Sequence, residues 1–222
     1  ARPYPPEGTE SLALELVSLK EIGWKSFVVT NCRGHRFIGN GFGPDSAGIR
    51  IDVLGAVGDY LGSGNDGMEV HMHGNAQDQV AQIHKSGELV VHGDVGQCYG
   101  YGAKGGSMFV LGNAAGRPMI NSVGSPKLVV NGTALDYLAE SFMAGDPLDG
   151  GGFVIINGME FDDRGQLVRL ETPYPGGNLF SLASGGAIYV RDPHQRLSES
   201  QLNGGSFVEM TDEDWDVVEP IL

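Results

Sequence analysis

Cysteine is nearly absent from this 222-residue chain, which holds only Cys32 and Cys98. Two cysteines so far apart lack the paired spacing of a zinc or iron–sulfur site, and they favour a reduced setting. Long apolar runs are also missing, because no stretch approaches the ~20 residues that a membrane helix needs. The start, ARPYPPEGTE, is polar and proline-rich, unlike a signal peptide. We therefore expect a cytoplasmic protein without a membrane segment.

Positive charge is scarce as well. Lysine and arginine together number 14 against 28 acidic residues, which gives a net charge of −14. Nucleic acids and anionic membranes bind clustered lysine and arginine, so we expect neither as a partner. Glycine, in contrast, is abundant at 36 residues. Collagen would need glycine at every third position, and a disordered chain would lack regular apolar runs, so neither class fits.

The glycines follow a repeat through the middle of the chain. The first steps are 74 − 55 = 19, 93 − 74 = 19 and 112 − 93 = 19, and the next are 132 − 112 = 20 and 158 − 132 = 26. The repeat glycines are Gly55, Gly74, Gly93, Gly112, Gly132 and Gly158. Apolar residues stand four and two positions before each, and this period of two predicts a strand. One strand per 19 residues, with glycine corners and no helical period, predicts an all-β parallel β-solenoid.

We interpret residues 1–222 as a single domain of four parts. These are an N-terminal cap and divergent first coil (1–48), regular coils (49–158), an excursion (159–184), and last coils with a C-terminal cap (185–222). The alternating leucines of SLALELVSL predict a capping hairpin with KSFVVTN, and the excursion is expected to be a hairpin turning at 162–165. SGGAIYVRD and NGGSFVEMT repeat KGGSMFVLG as final coils. TDEDWDVVEPIL predicts a short helix with Thr211 as N-cap, capping the stack.

Four stretches carry a resemblance to a known family: GHRFIGNG (34–41), VHMHGNAQDQV (70–80), LVVHGDVGQCYGYGAKGG (89–106) and SGGAIYVRD (184–192). They resemble the GXGXG domain, the right-handed parallel β-helix at the C-terminal end of the large subunit of glutamate synthase. The likeness is greatest to stand-alone versions, which occur beside a glutamine amidotransferase subunit and an FMN-containing synthase subunit. The chain is also similar to the subunit of formylmethanofuran dehydrogenase that shares this fold. The stretch 142–175 departs from the family pattern and matches no family role.

The resemblance implies a non-catalytic structural subunit that scaffolds a glutamate-synthase-type oxidoreductase of nitrogen metabolism. FMN and iron–sulfur clusters are then expected in the partner subunits, with no cofactor or catalytic residue in this chain. The opening Ala1-Arg2 agrees, because it offers no N-terminal cysteine for glutamine hydrolysis. One alternative is a homologous subunit of another oxidoreductase, such as formylmethanofuran dehydrogenase or an electron-bifurcating complex. The other is a free-standing ligand- or metal-binding solenoid, and a homo-oligomer remains open.

Histidines form the first candidate site. His73 and His92 occupy equivalent outward positions in adjacent coils, and His71 lies on the same face of the same strand as His73. Three imidazoles this close could bind a metal ion, whereas the alternative is an external ladder of uncharged histidines. We find no carboxylate or cysteine placed to complete a metal site, so the ladder is favoured.

An outward row of apolar residues forms the candidate interface. Three positions before the repeat glycines, the sequence places Asp52 and His71 in the first two coils and then Val90, Phe109, Val129 and Ile155. Four stacked apolar side chains on the outside of a solenoid need a cover. We expect either the excursion between Gly158 and Gly185 or a partner subunit to provide it.

Three further features have both a functional and a structural interpretation. The segment GYGAKGG around Lys104 could bind a phosphate, but no helix is expected after it. The tight corners of the repeat already explain its glycines. Asp59, Asp78 and Asp136 recur four residues after repeat glycines, and we expect bonds to corner backbone rather than calcium. Cys98 is expected to be an inert thiol.

Overall fold

The computed structural model describes residues 4–222, so the prediction about Ala1-Arg2 falls outside the described residues. The ten strands are β1 (Ser26–His35), β2 (Arg50–Val57), β3 (Asp66–His73), β4 (Ser86–Val91), β5 (Ser107–Val110), β6 (Lys127–Val130), β7 (Phe153–Ile156), β8 (Met159–Phe161), β9 (Leu167–Arg169) and β10 (Ala187–Val190). Strands β1 to β7 and then β10 lie side by side in one sheet, and every neighbouring pair is parallel. The predicted β-solenoid is confirmed.

The register of this sheet follows the sequence repeat. Ile51 pairs with Val70, Val70 with Leu89, and Leu89 with Met108. The residues four and two positions before the repeat glycines are completely buried, as predicted: Ile51, Val53, Val70, Met72, Leu89, Val91, Met108, Val110, Leu128, Val130, Val154 and Ile156. The core is therefore a column of aliphatic side chains that runs the length of the stack.

A ladder of side-chain hydrogen bonds explains three of the repeat glycines, Gly93, Gly112 and Gly132. Asn75 Oδ1 accepts from the backbone N–H of Asp94 at 2.9 Å, and Asp94 Oδ1 accepts from that of Asn113 at 2.8 Å. Asn113 Oδ1 continues the ladder to the N–H of Thr133 at 2.9 Å. A Cβ on Gly112 would collide with Asp94 Oδ1 and lie 2.8 Å from the carbonyl oxygen of Gly93. Glycine is required here because the coil below occupies the space of a side chain.

A second face of each coil places every other residue in the left-handed backbone region. In one coil these residues are Cys98, Gly100 and Gly102, and in the next they are Arg117, Met119 and Asn121, all with φ between 58° and 67°. The same left-handed pattern recurs in other coils, at residues 37, 39 and 41, at 60, 62 and 64, at 79, 81 and 83, at 137, 139 and 141, and at 178, 180 and 182. Left-handed backbone favours glycine, which accounts for the glycine doublets two residues apart in some coils.

The N-terminal cap differs from the prediction. SLALELVSL forms α1 (Leu12–Glu21) rather than a strand of a hairpin. Ala13 and Leu16 are buried while Leu14 is exposed, which is a helical spacing that the alternation of three leucines concealed. The predicted second strand of that hairpin is β1, which pairs in parallel with β2 as the first strand of the solenoid.

The excursion contains the predicted hairpin. Strands β8 and β9 pair antiparallel, and Asp162 Oδ1 accepts from the N–H groups of Arg164 and Gln166 at 2.8 Å in the turn between them. The chain rejoins the stack by Gly177, whose carbonyl accepts from the N–H of Tyr137 at 3.1 Å. The sequence predicts an excursion that extends to residue 184, but the coil resumes earlier, at Gly177.

The last predicted coil does not form a strand. Residues 206–210 of NGGSFVEMT have no regular structure. In the repeat, Glu209 stands where Val190 and Val110 point inward, and burial of an unpaired carboxylate is costly. The predicted C-terminal helix is confirmed as α2 (Asp212–Val218), with Thr211 as its N-cap. No helix within residues 4–222 has the length and apolar character to cross a membrane.

Candidate functional site

The three histidines lie together on the outer face of β3 and at the end of β4. The rings of His73 and His92 stack with centroids 4.7 Å apart, as predicted from the repeat. His71 lies 6.2 Å from His73 and 5.9 Å from His92, measured between ring centroids. His71 is half-buried, whereas His73 and His92 are exposed. The coil register therefore produces a compact cluster of three imidazoles.

A carboxylate adjoins this cluster without completing a metal site. Asp52 Oδ1 lies 2.9 Å from His73 Nε2. Arg50 holds the same carboxylate through Nε at 2.8 Å and Nη2 at 3.1 Å. The signal was available in the repeat, because Asp52 stands 71 − 52 = 19 residues before His71 and pairs with it across β2 and β3.

The cluster favours neutral His71 and His92 and an ionised Asp52. The hydrogen bonds from Arg50 and His73 hold the pKa of the Asp52 carboxyl well below its usual range. Burial lowers the pKa of His71, and the nearby Arg50 guanidinium lowers it further. Burial also lowers the pKa of His92, with the neighbouring His73 and His71 adding to the effect. Two of the three imidazoles therefore resist protonation at neutral pH.

The geometry does not converge on a metal ion. Within residues 4–222, no group of three or more histidine, cysteine, aspartate or glutamate side chains is arranged to hold a metal. His73 Nε2 is already engaged by Asp52, and its ring lies nearly parallel to that of His92, with 20° between the planes. This arrangement fits the external ladder better than a metal centre.

The C-terminal part of the apolar outer row is covered by the chain itself. Val129 and Ile155 form a buried cluster with Phe153 and Tyr189 of the sheet and Val218 of α2. Tyr189 also donates through its hydroxyl to Asp214 Oδ1 of the same helix at 2.8 Å. The prediction that the excursion covers this face is wrong, and so is the prediction that the final helix caps the end of the stack. Val217 and Val218 of α2 and Ile221 just after it pack against the apolar outer row.

The cover is incomplete at the N-terminal part of the row. Phe109 packs at the edge of this cluster and is half-buried. Val90 is half-buried and lies between His71 and Phe109 in the register of the sheet. Val28 occupies the same row beside Asp52 and is 70% exposed. The candidate interface thus divides into a part buried by α2 and an open part that adjoins the histidine cluster.

The corner aspartates bond to backbone, as predicted. Asp78 Oδ1 accepts from the N–H of Gln97 at 2.8 Å, and Asp136 Oδ1 accepts from that of Gly177 at 2.6 Å. Asp59 makes a longer bond of the same kind to Asp78 at 3.3 Å. The interpretation of this column as a calcium site therefore has no support.

The thiol and the glycine-rich corner also have structural explanations. Burial raises the pKa of the Cys98 thiol, against a smaller opposing effect of Arg117, so the thiolate is not favoured. Gly100 and Gly102 of GYGAKGG have φ of 67° and 63°, which places them in the left-handed pattern of the coil face. The element that follows Lys104 is the strand β5 and not a helix, so the corner lacks the helix start that phosphate-binding loops use.

A cavity at the C-terminal end of the stack was not predicted. Its volume is about 620 Å³, and it lies between β10 and the irregular segment 204–210. Asp192, Glu209 and Asp214 are the charged residues among its lining, and all are acidic. The sequence signal was Glu209 itself, a charged residue at an inward position of the last repeat.

Comparison with known proteins identifies the family. The family model of the GXGXG motif matches residues 27–213, which is most of the chain and includes every strand of the solenoid except the first residue of β1. No curated protein matches the chain. The repeat register, the left-handed coil face and this match agree with one another, and the chain therefore belongs to the GXGXG family.

Proposed function

We propose that this chain is a structural subunit of a glutamate-synthase-type oxidoreductase, located in the cytoplasm. Family membership carries the proposal, because the GXGXG domain is found in glutamate synthase. The amidotransferase and FMN synthase partners then supply FMN, iron–sulfur clusters and the chemistry on glutamine. The aspartates considered as calcium ligands instead connect one coil to the next, as Asp59, Asp78 and Asp136 do.

Two exposed surfaces suit a scaffold. The first is the open part of the outer row, where Val28 and Val90 lie on either side of Asp52 and His71. The second is the tip of the β8–β9 hairpin, where Phe161 and Leu167 pair across the strands and are 55% and 50% exposed. Exposed apolar side chains on a hairpin add little to the stability of the chain that carries them, and apolar residues of this kind are typical of interface cores.

The experiment is affinity purification of the tagged full-length chain from its native cell, with identification of co-purifying subunits by mass spectrometry. We expect an amidotransferase and a flavoprotein in stoichiometric amounts. Replacing both Phe161 and Leu167 by serine should release at least one of them without changing the thermal unfolding temperature. Glu160→Ser on the same hairpin is the matched control, because Glu160 is exposed and charged.

The alternatives give different results in the same experiment. Recovery of formylmethanofuran dehydrogenase subunits, or of an electron-bifurcating complex, would favour the homologous-subunit alternative. Recovery of the chain alone, as a monomer or homo-oligomer, would favour a free-standing solenoid and contradict the proposal.

A further inference from the structure

The last strand of the solenoid has a free edge. β10 is the terminal strand of the eight-stranded sheet and pairs on one side with β7. The next repeat, residues 206–210, approaches it without forming a strand, and within the described chain these five residues make no backbone hydrogen bond. Unpaired strand edges in proteins are templates for another strand. The N–H and C=O groups on this edge of β10 are therefore available to a partner.

The cavity beside this edge is shaped for apolar side chains. Ile188 and Val190 of β10, with Leu179, Leu197, Leu202 and Phe207, form its apolar lining. Its volume of about 620 Å³ falls in the range of sites that bind compact ligands. Ile188 and Val190 are equivalents of the fully buried core residues of earlier coils, but both are only half-buried. The core column of the solenoid thus ends in an unfilled space.

The charge in the cavity is of one sign. Asp214 is engaged by Tyr189 and by its own helix N-cap, so its carboxylate is satisfied. Asp192 is different, because Oδ2 accepts from the N–H of Leu197 at 2.8 Å while Oδ1 is buried without a hydrogen-bond partner. A buried carboxylate oxygen without a donor is unfavourable, and a cationic donor is its strongest complement. Glu209 adds a second negative charge to the lining.

From these observations we infer that the C-terminal end of the solenoid binds an extended peptide segment of a partner protein by strand addition to β10. The segment pairs in parallel, as every strand of this sheet does. It places an apolar side chain opposite Ile188 and a lysine or arginine, four residues later, beside Asp192. Backbone pairing supplies affinity, and the alternate side chains supply specificity. This inference concerns the isolated chain and does not depend on which oxidoreductase it serves.

The test uses the full-length chain and a fluorescein-labelled peptide of sequence Ser-Ile-Thr-Val-Thr-Arg, followed by fluorescence anisotropy. We expect saturable binding, weakened about tenfold or more by Asp192→Asn, since a charge-assisted hydrogen bond is lost. Asparagine retains an acceptor for the N–H of Leu197, so the local fold is preserved. Asp216→Asn, on the exposed side of α2 and outside the cavity, should leave the affinity unchanged. A peptide with citrulline for arginine should bind wild type and Asp192→Asn equally weakly.

Three outcomes would overturn the inference. The first is no saturable binding up to about 1 mM peptide. The second is equal binding of a peptide N-methylated at the residues that face β10, because strand addition requires those donors. The third is hydrogen-exchange protection of residues 206–210 in the free protein, since this chain's own segment would then occupy the edge. Protection of β10 that appears only with peptide supports strand addition, and none of these results bears on the scaffold proposal.

Discussion

The side-chain oxygen Oδ1 of Asp94 lies 2.8 Å from the backbone nitrogen of Asn113, which is 19 residues further along the chain. This bond fixes the vertical distance between two coils at the repeat glycine. Asp94 Oδ1 and the backbone of Gly93 also occupy the space that a side chain at position 112 would need, so that residue is glycine. The 19-residue period is therefore maintained by a polar ladder outside the core as well as by aliphatic packing within it.

Gly112→Ala tests the ladder. The added methyl group would collide with Asp94 Oδ1 and with the backbone of Gly93, so either the hydrogen bond to Asn113 or the coil spacing is lost. We expect a loss of about 3 kcal/mol in the free energy of unfolding, from overpacking together with a broken hydrogen bond. In a chain of this size, this corresponds to roughly 6–12 °C in Tm.

Gly116→Ala is the matched control for this change. A Cβ on Gly116 would have its nearest neighbour, the carbonyl oxygen of Asp136, at 3.5 Å, which is an ordinary contact. Thermal unfolding of the two variants should therefore differ by several degrees. Equal unfolding temperatures would show that the ladder does not require glycine.

Val91→Asp and Val90→Asp distinguish the inner from the outer face of β4. Val91 is completely buried between Met72 and Val110, so a carboxylate there has neither solvent nor partner. We expect it to cost several kcal/mol, comparable to the stability of a typical domain. Val90 is half-buried on the outer row, and Val90→Asp should leave folding intact. Denaturant unfolding measures both, and the reverse order of stabilities would contradict the assignment of the two faces.

The buried His84 predicts a pH dependence of stability. It is completely buried, its Nε2 lies 3.3 Å from the carbonyl oxygen of Gly87, and its Nδ1 has no partner. Burial lowers the pKa of His84 to about 4. The unfolded chain takes up the proton near pH 6.5, so stability falls as the pH decreases from about 6.5 to about 4, by about 3 kcal/mol in total.

His84→Asn isolates this contribution, because Asn65 occupies the equivalent position one coil earlier and the variant cannot titrate in this range. Urea unfolding at a series of pH values should give a steeper loss of stability for wild type than for the variant between about pH 6.5 and about pH 4. Parallel curves would mean that the pKa of His84 is the same in the folded and the unfolded protein.

Val218→Asp should detach α2 from the outer row. The side chain is buried against Val129, Ile155 and Tyr189, and a carboxylate cannot remain there unpaired. We expect faster hydrogen exchange in α2 and stronger binding of a hydrophobic dye, while the sheet itself stays protected. Trp215→Ala, at a site 51% exposed on the same helix, should change neither. Unaltered exchange in Val218→Asp would show that the helix is held by other contacts.

The strands of the solenoid could be predicted because each coil repeats the same physical requirement. An inward pair such as Leu89 and Val91 recurs at a fixed interval, and a parallel stack converts that interval directly into register. His73 and His92 could be placed side by side for the same reason. Asp52 follows from the same arithmetic, because it precedes its repeat glycine by the same three positions as His71 and pairs with it across β2 and β3.

The ends of the stack could not be predicted in this way. The prediction of a strand for α1 is wrong because Leu12, Leu14 and Leu16 satisfy a period of two, although Leu14 points to solvent. The position of α2 depends on which apolar surface remains free after the coils have formed, and no local pattern encodes that. The cavity beside β10 lies where the repeat stops. It depends on tertiary packing and on one charged residue, Glu209, at an inward position where a strand would bury it.

The central claim is that this chain supplies architecture while its partners supply the redox chemistry, and the visible absorption spectrum tests it most directly. The isolated full-length chain should be colourless and should not turn over glutamine, whereas the native complex purified through its tag should carry the visible absorption of a flavin and convert glutamine. A yellow preparation of the isolated chain, or glutamine turnover by it alone, would contradict the account.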